Sequence, residues 1–172
     1  MSNLSLIREK IVSLNQLSDK VDEWKEQGQK IVFTNGVFDL LHRGHIEYLA
    51  QAANFGDKFI VAVNADESVK KLAKGINRPL QDENSRALII AALAFVDIVL
   101  IFNDDTPIGL ISEVKPDVLI KGGDYDSQIT DASNPKYIIG SDVVKSNKGI
   151  VEVIQFVEGY STTKIEEKIK NN

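Results

Sequence analysis

Two histidines are all this chain contains, and both stand in one short run, FTNGVFDLLHRGHIEYL, Phe33 to Leu49. His42 and His45 are three residues apart and directly follow a stretch that reads as a buried strand. At helical spacing both imidazoles reach one side of a helix entry. The unpaired amides and dipole of a starting helix favour a negative ligand, and imidazole N–H groups add directional donors beside them. Thr34, Asn35 and Gly36 arrive at the same edge from the strand. Gly36, and Gly44 between the histidines, let a phosphate approach backbone without a Cβ in the way. HxxH is also a metal-ligand spacing, and Asp39 could add one ligand, but two imidazoles with no cysteine and no third histidine make a poor zinc site. Asp39 reads as an anchor for its loop. For either histidine taken singly, a plain helix cap or a surface position is the competing reading.

Composition narrows the remaining options. The chain has 172 residues, enough for one domain with a substantial core, and its 43% hydrophobic and 26% charged content is that of a soluble globular protein. No apolar run reaches the length a bilayer requires, and the N-terminal MSNLSLIREKIVS lacks the continuous apolar stretch of a secretory signal, so a cytoplasmic protein with no membrane partner is expected. With no cysteine, disulfides, thiolate metal sites and cysteine nucleophiles are excluded. A net charge of −5 argues against a nucleic-acid partner. An anionic ligand must meet a local patch of positive charge, with or without a divalent cation.

The elements that would position the histidines follow from periodicity. Residues 4 to 27 read as helical, with Ser13 and Gln16 forming a capping box that opens the second part and Gly28 as the stop. Continuous apolar runs at 30–36, 58–64, 97–102, 117–123 and 149–156 read as strands. Between them 42–55, 82–95 and 107–114 read as helices, with a short helix near 134–138 and a last one over 161–170. This alternation predicts an α/β fold, a doubly wound parallel sheet of about five strands that binds ligands at the carboxyl ends of the strands. Residues 1–28 form an N-terminal helical extension on a 29–172 domain, and an apolar face on that extension would favour a homodimer.

Positive charge can come from Lys70, Lys71, Lys74 and Arg78, from Arg86, and from Lys121. Runs of lysine are mostly solvated faces. Lys121 differs, because the strand DVLI ahead of it and the two glycines behind it should carry it to the ligand edge. A second anion site is suggested by EGYSTTKI, where Gly159 permits a tight turn and Ser161, Thr162 and Thr163 bring hydroxyls to a helix start beside Lys164. An ordinary N-cap would account for that stretch equally well.

Taken together, GVFDLLHRGH (Gly36 to His45) and GYSTTKI (Gly159 to Ile165) resemble the HxGH nucleotidyltransferases, the cytidylyltransferase-like superfamily, which carry a GxFDxxHxGH sequence after the first strand and an STT-type helix start near the C-terminus. The resemblance implies a Rossmann-like sheet of the nucleotidyltransferase type. Within the superfamily, VNADESVKKLAKGINRP, SRALIIAALAFVD, NDDTP and PDVLIKGGDY are similar to the heptose 1-phosphate adenylyltransferases over nearly the whole chain. Glycerol-phosphate and phosphocholine cytidylyltransferases share the frame but usually place an arginine ahead of the STT turn, where this chain has Phe156-Val157-Glu158-Gly159. Val37 and Tyr160 stand where cysteine is frequent in the heptose enzymes, at positions the transfer does not require. A sugar kinase domain often fused to those enzymes is missing from this sequence, so the resemblance points to a stand-alone adenylyltransferase.

What the resemblance implies is adenylyl transfer from ATP, with Mg2+, to D-glycero-β-D-manno-heptose 1-phosphate, giving ADP-heptose for lipopolysaccharide synthesis. His42 and His45 would donate to the ATP phosphates, with His45 nearest the α-phosphate, and Ser161 and Thr162 would hold the β- and γ-phosphates. Asn35, Gly36 and Phe38 would line the nucleotide pocket. Arg86 and Lys74 would add phosphate contacts, while Lys121 and Asp124 would serve the substrate or ribose. No all-protein metal site is implied. The competing expectations are a cytidylyltransferase acting on glycerol 3-phosphate or a related alcohol phosphate, and a non-catalytic nucleotide-binding module.

Overall fold

The computed structural model describes residues 2–72 and 78–171. Its centre is a five-stranded parallel sheet built from β1 (Ile31–Gly36), β2 (Lys58–Asn64), β3 (Ile98–Phe102), β4 (Val118–Gly122) and β5 (Ile150–Ile154), in the order β3-β2-β1-β4-β5. The strands are buried on both faces, which is why their sequences are continuously apolar rather than alternating. Ile31 and Phe33 join one core layer and Val32 the other.

One layer is covered by α2 (Leu14–Glu26), α6 (Ile108–Val114) and α7 (Ser141–Ser146), through Leu17, Val21, Trp24, Ile111 and Val144. The opposite layer is covered by α3 (Arg43–Ala53) and α5 (Glu83–Ala91), through Leu49, Ala52, Ala87 and Ile90. A short α4 (Asp66–Lys71), not foreseen in the sequence, follows β2, and α8 (Thr162–Lys170) closes the chain. No helix among the described residues is long and apolar enough to cross a membrane.

Besides the unforeseen α4 and α7, three stretches depart from expectation. The N-terminal segment is two helices, α1 (Asn3–Glu9) and α2, because Ser2 caps the first and the Ser13–Gln16 box caps the second. Between them Ile11 bridges β3 in parallel at Val99, with the Val99 amide donating to the Lys10 carbonyl at 2.8 Å and the Val12 amide to the Val99 carbonyl at 3.0 Å. The apolar face of α2, expected outside the βα core, is part of it: Leu17 is fully buried and Trp24 only 8% exposed. The apolar residues this segment leaves exposed are Leu4, Leu6 and Leu14. Residues 134–138 form turns instead of a helix, because Asp131 and Asn134 side chains accept from the Ser133 and Lys136 amides and compete with helical bonding. Finally, α5 ends at Ala91, short of the expected Phe95.

The integration of α2 carries a stability consequence. Leu17→Ala, at a fully buried position under the sheet, is expected to cost about 2–5 kcal/mol in urea unfolding, as core truncations do. A loss near zero would mean that α2 is dispensable packing.

Candidate active site

Strand β1 pairs with β2 along six residues but with β4 only at Val32–Val118 and Phe33–Leu119. Beyond Phe33 the two strands part, as they do where chain order reverses in a doubly wound sheet, and a crevice opens at their carboxyl ends. Side chains span its floor. Thr34 Oγ1 donates to the Ile120 carbonyl at 3.0 Å and lies 2.6 Å from the Tyr48 hydroxyl, and Lys121 Nζ donates to Asn35 Oδ1 at 2.5 Å. The cleft above has a volume of about 870 Å3. Asn35, Gly36, Phe38, His45 and Lys121 line it, with Thr162 and Thr163 of α8 at its rim.

The end of the cleft beside α3 is shaped by two glycine positions and a strained turn. Phe38 has a left-handed backbone, φ 51°, rare for an aromatic residue, and its ring lies so close over Gly36 that a Cβ there would meet it at 2.9 Å. The same ring meets His45 edge-on at 5.5 Å, while His42 stacks on His45 at 3.9 Å with an interplanar angle of 21°. His42 is the N-cap of α3, its Nδ1 accepting from the His45 amide at 3.4 Å. An acceptor at Nδ1 places the proton of the neutral ring on Nε2, and burial pushes the His42 pKa below its ordinary value, favouring that neutral form. At the other side of the crevice the Phe156 ring lies across Gly122 and Gly123. Gly123 has a left-handed backbone, φ 82°, which favours glycine there.

The start of α8 meets the start of α3. A Cβ on Gly44 would stand 3.3 Å from Tyr160 Cβ, and Arg43 both donates to the Tyr160 hydroxyl at 3.2 Å and lies over its ring. Ser161 caps α8 by accepting from the Lys164 amide at 3.1 Å. Hydroxyls and helix amides from residues 42–45 and 161–163, remote in sequence, therefore border one space.

Several expected contacts are placed elsewhere. Thr34 is fully buried, its hydroxyl engaged with Ile120 and Tyr48, so it supports the floor without facing the cleft. Arg86 is also fully buried: it donates to the carbonyls of Gln81 and Val37 and to the Asp66 carboxylate at 2.7–2.9 Å, bracing the loop from behind where no phosphate can reach it. His42 and Ser161 act as caps adjoining the cleft, while His45, Thr162 and Thr163 line it. Gly44 is buried beneath Tyr160, and Asp124 is exposed beyond the strand end, outside the cleft lining. Lys70 and Lys71 pair with Glu67 and Asp105 on the surface. Lys74 lies outside the described residues.

Other lining residues had no clear sequence signal. Tyr48 could have been found as the residue one turn beyond His45 on α3, and Asn64 as the carboxyl end of β2. Tyr125, Ser133, Asn134 and Tyr137 come from the irregular stretch after β4, where no period points at a ligand. Asp39, 4% exposed, is held by the Leu80 and Gln81 amides and by Arg78 at 2.6–3.0 Å, the loop anchor expected of it.

These features belong to a nucleotide-handling α/β protein, and the chain is a member of the cytidylyltransferase-like family, which matches residues 33–168. It is 49% identical over 160 residues to the bifunctional protein HldE of Geobacter metallireducens, covering 93% of this chain and 31% of that protein. Against the bifunctional protein HldE of Paramagnetospirillum magneticum it is 45% identical over 170 residues, covering 99% of this chain and 33% of the relative. The chain thus spans about a third of the length of these relatives. A crystal structure of a lipopolysaccharide core biosynthesis protein from Thermoplasma volcanium matches 78% of this chain and all of its own at a TM-score of 0.58 and 30% identity. Pantoate-β-alanine ligase from Francisella tularensis, at 17% identity and a TM-score of 0.56 over 93% of this chain and 76% of its own, shares the fold.

Asp39 also sets an acid limit. Burial pushes its carboxyl up, but the Leu80 and Gln81 amides and the Arg78 guanidinium outweigh burial and hold it below its ordinary 3.8. A depressed carboxylate contributes stability at pH above its unfolded value, and that stability is lost as pH falls through the folded value. Asp39→Asn is therefore expected to be less stable than the parent at neutral pH, the gap closing below pH 3.8. Urea unfolding between pH 7 and pH 3 checks this, and a gap that does not narrow contradicts it.

Proposed function

We propose that this chain transfers the adenylyl group of ATP to D-glycero-β-D-manno-heptose 1-phosphate. The observation that carries the reading is the meeting of the His42–His45 and Ser161–Thr163 helix starts at one end of a single cleft. Two helix N-termini with hydroxyl and imidazole donors suit the triphosphate, whose charge they meet without a basic surface. Likeness to HldE proteins and to a lipopolysaccharide core biosynthesis protein supports the choice of reaction. Tyr125, Ser133, Asn134 and Tyr137 also line the cleft, a polar and aromatic wall that suits a polyhydroxylated sugar.

In this reading a phosphate oxygen of the sugar 1-phosphate attacks the α-phosphorus in line. The new P–O bond forms as the bond to the β-phosphate oxygen breaks, and pyrophosphate leaves with that electron pair. The nucleophile is already anionic, so the protein's task is to align two anions and stabilise charge developing on the phosphoryl oxygens. His45 and the Nε2–H of His42 donate to the phosphates, Thr162 and Thr163 hold the leaving pyrophosphate, and Lys121, fixed by Asn35, offsets charge between the substrates. Mg2+ enters on the nucleotide. Of the cleft-lining residues, Asp39 and Asp105 carry carboxylates and both are taken up by cations, Arg78 and Lys71, so phosphate oxygens and water would supply the ligands of the ion. The reaction uses soluble substrates in a cytoplasmic setting and requires no nucleic acid.

Pyrophosphate release decides the reading. Release is expected with ATP and heptose 1-phosphate, to be abolished by EDTA, and to be far slower with CTP or with glycerol 3-phosphate. Release only with CTP and an alcohol phosphate would replace this reading by a cytidylyltransferase. ATP binding with no release for any acceptor would make the chain a binding module.

His45→Ala is expected to lower kcat by ~10²–10³ with the fold intact, the usual cost of removing one transition-state donor. Lys121→Met should impair turnover far more than Lys70→Ala, since Lys70 sits on the surface against Glu67. Equal, small effects in steady-state assays of the two would remove Lys121 from the site.

A further inference from the structure

Helix α8 brings Thr162 and Thr163 to the cleft, yet it contributes no buried residue and belongs to neither core layer. Ile169, its most apolar outward position, is 68% exposed. The hydrophobic effect therefore does not fix where this helix sits. Besides the Tyr160–Arg43 contact just ahead of its start, a chain of charges does. Arg78 Nη2 meets Glu166 Oε1 at 2.5 Å, and Arg78 Nη1 meets Asp39 Oδ2 at 2.6 Å. The Arg78 and Asp39 side chains are 14% and 4% exposed and that of Glu166 is 26% exposed, so water screens the chain far less than a surface pair. Asp39 is itself locked by two backbone amides.

Glu166 lies one helical turn after Thr162, so both project from the same face of α8. Pulling Glu166 towards Arg78 turns that face, and with it the threonine hydroxyls, towards the cleft. The planar guanidinium is suited to this, because its fork can hold a carboxylate on each side at once. We infer that Arg78 and Glu166 are positioning residues: the Asp39–Arg78–Glu166 relay sets the start of α8 over the cleft so that Thr162 and Thr163 receive the triphosphate. Arg78 itself lines the cleft, but with a carboxylate on each side the trio is net negative and makes a poor seat for an anion. This inference rests on the proposal that the Thr162–Thr163 end takes the triphosphate, and it concerns what orients that end.

The test uses the full chain with Glu166→Gln, Arg78→Lys and, as a control on the same helix, Glu167→Gln. Binding of tripolyphosphate and of ATP is measured by calorimetry, hydrogen exchange is followed at amides 162–166, and KM and kcat are measured with heptose 1-phosphate. Glu166→Gln is expected to weaken both tripolyphosphate and ATP about tenfold, in line with loss of one charge-assisted hydrogen bond. Exchange at 162–166 should quicken while the thermal midpoint stays unchanged. KM for ATP should rise with kcat at saturating ATP and KM for the sugar phosphate retained. Arg78→Lys, which keeps the charge and loses the two-sided fork, should weaken binding and quicken exchange in the same way, with a lowered thermal midpoint where Asp39 loses its guanidinium partner, and Glu167→Gln should match the parent. Unchanged binding and protection in Glu166→Gln would overturn the inference. Tighter binding would overturn it too, since that is the sign of an arginine freed to hold phosphate directly. Tripolyphosphate binding and exchange involve no acceptor, so they stand apart from any failure of the parent to release pyrophosphate.

Discussion

The short pairing of β1 with β4 is the constraint on which the rest of the site depends. Only Val32 and Phe33 of β1 align with β4, and the next residues separate because the connections leaving these two strands go to opposite sides of the sheet. The gap has to be floored by side chains, which is the work of Thr34, Tyr48, Asn35 and Lys121. A crevice produced by topology has rigid walls, since both strands are buried on both faces. Loops placed over it need only local devices to hold their shape: the left-handed Phe38 folded on Gly36, Asp39 on the amides of residues 80 and 81, and Arg86 behind Val37.

Charge is used sparingly around this crevice. The chain carries a net −5, and several of its cations near the cleft are already committed. Arg86 is interior, Arg78 lies between two carboxylates, and Lys71 is paired with Asp105. Besides Lys121, what borders the opening is a set of fixed dipoles and hydrogen-bonding groups: two helix starts, threonine hydroxyls and the stacked imidazoles of His42 and His45, the first with its pKa lowered by burial. Such groups bind an anion by orientation. A field of mobile lysines would bind many anions with little discrimination.

Much of the fold was legible because buried parallel strands are written as uninterrupted apolar runs, and all five appear within a residue or two of expectation. The Ser13–Gln16 box was legible for the same local reason. Tertiary context hid the rest. Nothing in LNQLSDKVDEW says whether its apolar stripe faces this sheet or a second copy, and nothing in SRALIIAAL says that the arginine points inwards. At the site, residue type and strand-end position led to Asn35, Gly36, His45 and Lys121. They failed for Thr34 and Arg86, because side-chain direction at a strand end and at a helix start depends on partners distant in sequence. The wall at 133–137 is held by Asx turns, which leave no period to read.

The bridging link between α1 and α2 has a meaning beyond connection. β3 is an outer strand of the sheet, and an outer strand offers a row of unpaired amides and carbonyls to any passing chain. Residues 10–12 occupy part of that row from within the same molecule, at Val99. The N-terminus is thus a self-made guard against strand-to-strand association. Sequence changes there that leave the cleft untouched would be felt first as a loss of solubility.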